Sequence, residues 1–168
     1  MGEHGWSGGS RRRGVRGRIA LALAAGTLLA ATAAGVASAA DRPAGGGTAV
    51  LVPGTPCTVT ARACVDVDAR RAWLVEDGAV TRGPVRIQTG DAEDPTPLGT
   101  FRVEWKAEQY TSRQYLTQMP YSVFFAPGGV AFHQGRQDTP SAGCVKLLEA
   151  DAKAFFASLQ VGDEVQVT

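Results

Sequence analysis

Histidine and cysteine are scarce in this chain, with two and three copies in 168 residues. There is no Cys-x-x-Cys pair, no His-Glu-x-x-His and no cluster of acidic ligands, so a dedicated metal centre is excluded and no cofactor is expected. A glycine-rich phosphate loop and a Gly-x-Ser-x-Gly turn are missing too, which removes the motifs of nucleotide binding and serine-hydrolase chemistry. No internal repeat is present. Charged residues make up only 20% against 44% hydrophobic ones, a balance that excludes a disordered chain. The length suits one globular domain. A formal charge of +1 gives no electrostatic footprint for nucleic acid.

What basic character there is lies at the front. Arg11, Arg12, Arg13, Arg16 and Arg18 precede an apolar stretch over 19–34, and the small residues Ala37, Ser38, Ala39 and Ala40 follow. This is the three-part layout of a secretory signal over residues 1–40, with cleavage after Ala39 or Ala40. RRRGVRGR lacks an apolar pair directly behind its arginines, which favours general secretion over the twin-arginine route. The alternative is an uncleaved anchor, because 19–40 is just long enough to span a bilayer, although its Ala, Gly and Thr make a poor lipid-facing helix. Cleavage leaves 12 basic against 15 acidic residues, removes His4, and makes His133 the sole histidine.

Residues 41–56, rich in Gly, Pro and Thr, read as a flexible leader, and the domain is expected over 57–168. Strand signals follow at 64–67, 72–75, 79–85 around the turn Asp77-Gly78, 100–105, 121–125, 130–133 after Pro127-Gly128-Gly129, and 164–167. One segment has a helical period, with Leu148, Ala152, Phe155, Phe156 and Leu159 on a single stripe, Glu149 and Asp151 in its first turn and Gly162 beyond its end. The fold class is therefore mostly β with one amphipathic helix near the C-terminus. Trp73 and Trp105 lie inside strand patterns and read as core or face residues, without an assigned role.

An odd cysteine outside the cell is paired with another molecule or kept for chemistry. Cys57 and Cys64 are close enough to bridge, which leaves Cys144 free; pairing of Cys144 with either of them is the alternative. Cys144 lies in Ser141-Ala142-Gly143-Cys144, eleven residues after His133 ends the apolar run Val130-Ala131-Phe132. A neutral imidazole within reach of a thiol takes its proton, and the resulting thiolate is a nucleophile for acyl transfer through a thioester. Gly143 lets the main chain turn just before Cys144, so that consecutive N–H groups can face the oxyanion of a tetrahedral intermediate.

Four segments in order carry a family resemblance: TPLGTF at 96–101, MPYSVFF at 119–125, FHQG at 132–135 and SAGCVKL at 141–147. From about Ala63 to Thr168 the chain resembles the L,D-transpeptidase catalytic domain, also called the YkuD domain. The resemblance implies a small β-sandwich or barrel-like fold, Cys144 as nucleophile, His133 as proton donor and acceptor, and an oxyanion hole from the Gly143 and Cys144 N–H groups. It further implies substrate contacts at Lys146, Ser141 and Tyr121. The implied partners are peptidoglycan stem peptides, handled by a monomer outside the cytoplasm, in the cell wall, with no nucleic acid and no lasting membrane insertion. The implied reaction is attack on the L,D bond of a tetrapeptide stem, release of D-alanine and formation of a 3→3 crosslink. Two positions depart from the family signature: Ala142 replaces its usual histidine and Lys146 its arginine. An L,D-carboxypeptidase and a non-catalytic wall-binding domain are the alternative readings.

Overall fold

The computed structural model describes residues 49–168, so the signal reading of 1–40 and the first part of the leader fall outside the described residues. Nine strands and one helix follow in the order β1 (Ala63–Asp66), β2 (Arg71–Glu76), β3 (Ala79–Gln88), β4 (Gly99–Arg102), β5 (Trp105–Ala107), β6 (Ser122–Ala126), β7 (Val130–Gln134), β8 (Val145–Leu147), α1 (Glu149–Ser158) and β9 (Glu164–Val167). The strands form one sheet in the order β4-β9-β1-β2-β3-β8-β7-β6-β5.

The long strand β3 joins the two halves of this sheet. Its first part pairs antiparallel with β2, while Ile87 and Gln88 at its end pair with Leu147 and Lys146 of β8. The outermost strands β4 and β5 are neighbours in the chain, separated only by Val103 and Glu104. The backbone N–H of Glu104 donates to the Phe124 carbonyl and that of Val103 to the Asp163 carbonyl, so the two edges are tied together and the sheet curls over one core. A single strand over 100–105 was the expectation from sequence; the chain breaks there because it crosses from one sheet edge to the other.

Strands β6 and β7 read SVFFA and VAFHQ and are buried along nearly their whole length, which explains their continuous apolar character. Helix α1 lays Ala152, Phe155 and the capping residue Leu159 into the core, where the Phe155 ring lies 5.1 Å from that of Phe132. Its N-cap, Leu148, makes no side-chain cap, and Glu149 and Asp151 in the first turn complement the helix dipole instead.

Two smaller apolar clusters lie apart from this core. Cys57, Ala61, Cys64 and Trp73 form one; Met119, Phe124 and Ala131, with Tyr110 and Cys144 against them, form the other. Cys57 and Cys64 are joined by a disulfide, with Cα atoms 5.8 Å apart. Residues just before Cys57, which the sequence reading placed in a flexible leader, pack against the domain. Val52 is fully buried, its N–H donates to the Cys57 carbonyl, and Leu51 bridges Thr58. Among the described residues no helix is long and apolar enough to cross a membrane.

Candidate active site

The parallel pairing of β7 with β8 sets Phe132 opposite Val145 and His133 opposite Lys146. Side chains alternate across a strand, so Phe132, Val145 and Leu147 enter the core while Ala131, His133, Cys144 and Lys146 share the other face. On that face His133, Cys144 and Lys146 line a groove of about 610 Å³.

His133 is buried, and its Nδ1 lies 2.8 Å from the Gln134 carbonyl oxygen. In the neutral ring Nδ1–H donates to that carbonyl, which leaves the Nε2 lone pair as the proton acceptor. Burial lowers the imidazole pKa, the Gln134 carbonyl partly opposes this, and the charge of Lys146 lowers it further. Cys144 is the one free cysteine among the described residues and is half-buried. Burial raises its pKa, against smaller lowering effects from the Ala131 backbone and the Lys146 charge. Its S–H donates to the Gly129 carbonyl over 3.8 Å. The pair is thus a neutral thiol and a neutral imidazole, and the thiol needs a base at the moment of attack.

The turn before Cys144 is fixed from two sides. Ser141 N–H donates to the Thr89 carbonyl at 2.9 Å, and Ser141 Oγ–H donates to the Cys144 carbonyl at 2.5 Å. Gly143 has φ +88°, a left-handed conformation that a side chain would strain. Among the described residues, the Gly143 and Cys144 N–H groups take no part in the loop's backbone hydrogen bonding.

The substrate contacts implied by resemblance fare differently. Lys146 lines the groove, but its ammonium donates to the Thr139 carbonyl, to Thr139 Oγ1 at 3.2 Å and to the Pro140 carbonyl at 3.3 Å. It holds the 136–140 loop instead of standing free for a ligand. Its stem crosses Gly135, where a Cβ would come within 2.6 Å of Lys146 Cδ, so the final glycine of FHQG makes room for it. Ser141 lines the groove with its hydroxyl committed to the turn. Tyr121, expected as a substrate contact, does not line the groove. At φ 58° it turns its ring to the helix side, with its centroid 6.1 Å from that of Phe156 and 5.4 Å from the Lys153 ammonium.

The sequence reading missed an aromatic wall. Trp105 stacks on Phe124 at 3.7 Å and 7°, Tyr110 meets both rings edge-on, and Met119 completes the wall. The strand pattern around Trp105 gave no sign of this, because the placement depends on β5 pairing with β6, 15 to 19 residues away along the chain. Ala142 also lines the groove. No group of three potential metal ligands occurs among the described residues.

The family model of the L,D-transpeptidase catalytic domain, YkuD, matches residues 60–167. Among solved structures, the L,D-transpeptidase (Yku) from Stackebrandtia nassauensis is 32% identical with a TM-score of 0.60, over 63% of this chain and 54% of that one. An L,D-transpeptidase from Mycobacterium smegmatis is 26% identical with a TM-score of 0.57, over 63% and 57%. L,D-transpeptidase 1 from Mycobacterium tuberculosis is 26% identical with a TM-score of 0.56, over 62% and 60%. The chain therefore spans little more than half the length of these structural relatives. No curated protein matches it.

Proposed function

Because the chain belongs to the family of L,D-transpeptidase catalytic domains, we propose that it is a secreted L,D-transpeptidase that forms 3→3 crosslinks in peptidoglycan. The observation that carries this reading is the shared face of β7 and β8, which presents His133 and Cys144 to one groove.

In this mechanism the donor stem lies in the groove with the carbonyl of its L,D bond at Cys144. Nε2 of His133 takes the thiol proton as Sγ attacks the carbonyl carbon, and the N–H groups of Gly143 and Cys144 hold the oxyanion. Collapse of the tetrahedral intermediate breaks the C–N bond. His133 returns its proton to the departing nitrogen, D-alanine leaves, and a thioester remains on Cys144. An acceptor amine then attacks the thioester and passes a proton to His133. Sulfur leaves, recovers that proton, and the new amide is the crosslink.

Export is supported by the signal-like layout of 1–40 and by the Cys57–Cys64 bridge, a bond that persists in oxidising compartments. The test is product analysis by mass spectrometry, with a tetrapeptide donor and an amine acceptor, run beside Cys144→Ser. The expected result is a dimer with released D-alanine, absent in the variant. A trimmed tripeptide without dimer would replace the reading by an L,D-carboxypeptidase, and no product from folded protein with a free thiol would replace it by a wall-binding domain.

A further inference from the structure

Among the described residues three cations line the groove, Arg113, Arg136 and Lys146, and no carboxylate does. Two of the three are already engaged by the protein. Arg136 forms a forked pair with Asp138, with Nε to Oδ1 at 3.0 Å and Nη2 to Oδ2 at 2.6 Å. Lys146 is spent on the oxygens of Thr139 and Pro140. Arg113 has neither an ion pair nor a hydrogen bond among the described residues. It projects from the loop between β5 and β6, which also supplies Tyr110 and Met119 to the aromatic wall.

An uncompensated guanidinium in a groove without acids is a complement for an anion, and its planar fork suits a carboxylate. We propose that Arg113 is a specificity-determining residue that pairs with a carboxylate of the donor peptide. This rests on the reading of the groove as a stem-peptide site and adds to it the charge the donor must carry. A tetrapeptide stem offers that carboxylate from two sources, the terminal D-alanine or the side chain of a diamino-acid third residue that ends in a carboxyl group. The chemistry at Arg113 is the same for both. Binding falls with added salt, because the pair lies at the exposed rim of the groove.

The test uses the full chain carrying Cys144→Ser and calorimetric titration with four synthetic tetrapeptides: both carboxylates free, the C-terminal one amidated, the third-residue one amidated, and both amidated. One of the single amidations is expected to weaken binding by roughly three- to tenfold, and which one it is identifies the source. Arg113→Gln is expected to weaken the fully charged peptide by the same factor and to lose the discrimination. Arg113→Glu is expected to reverse it, so that the amidated peptide binds better. Equal affinities of the Arg113 form for all four peptides, discrimination that survives in Arg113→Gln, or no binding of any peptide would overturn the proposal. D-alanine release by the unmodified enzyme is measured in parallel. Charge-dependent binding without release from any donor would overturn the transpeptidase reading alone and leave the carboxylate site standing.

Discussion

His133 and Lys146 stand opposite one another across the parallel β7–β8 pair, and that register brings Cys144, two residues before Lys146, onto the same face as the imidazole. The ladder thus does the positioning that a motif alone cannot. It also places a positive charge beside a thiol and an imidazole that burial keeps neutral, and Lys146 lowers the pKa of both.

Alkylation of Cys144 by iodoacetamide should therefore accelerate with pH, with a midpoint above the ordinary thiol value of 9.0. Lys146→Met should push that midpoint higher still, and Lys146→Arg should leave it near that of the unmodified chain. A midpoint below that of free cysteine would contradict the neutral pair and point to a resting thiolate.

Stability should carry the signature of His133. Its pKa in the folded state lies below the ordinary 6.5, so as pH falls through 6.5 the unfolded chain takes up a proton that the folded chain refuses. The contribution is fully present above 6.5 and is lost as pH falls below it toward the lowered value. Thermal melts should show Tm falling on acidification through this window, and His133→Gln should flatten that part of the curve. An unchanged slope in the variant would place the titration elsewhere.

Gly90 should resist substitution. A Cβ there would come within 2.0 Å of the Asp94 carbonyl oxygen and 3.0 Å of Gly143 Cα, so backbone on both sides would have to move. Gly90→Ala is expected to cost about 3 kcal/mol in denaturant unfolding and to slow Cys144 alkylation, because the loop bearing Gly143 shifts. Wild-type stability in that variant would mean that the close approach is dispensable.

The Cys57–Cys64 bridge closes a short loop in a cluster separate from the groove. Replacing both residues by Ala should lower the unfolding free energy by about 2.5 kcal/mol on the chain-entropy estimate, with Cys144 alkylation unchanged. A changed alkylation rate would show that the two regions are coupled.

Much of the fold was legible because short apolar runs ended by turn residues carry strand information locally. The run at 164–167 is β9, and the stripe from Leu148 to Leu159 contains α1. The three residues of β8 were not read as a strand, since Val145, Lys146 and Leu147 become one only between β3 and β7. His133 and Cys144 stood out by scarcity and chemistry, and both line the groove. Tyr121 was misplaced because no local pattern tells which side a ring at positive φ will take. Lys146 does line the groove, but the engagement of its ammonium was not legible, because its oxygen partners come from a loop six and seven residues earlier. Trp105 and Tyr110 carried no signal at all, since only the β5–β6 pairing brings the tryptophan over Phe124.

The central claim is that Cys144 carries the acyl group with His133 as its base. The most direct measurement is the intact mass of the protein after brief exposure to a tetrapeptide donor with no acceptor, with peptide mapping of the modified site. A mass gain equal to the donor less D-alanine, located on Cys144, absent from Cys144→Ser and strongly reduced in His133→Gln, is the predicted result. Turnover of the donor by Cys144→Ser, or an adduct on any other residue, would contradict it.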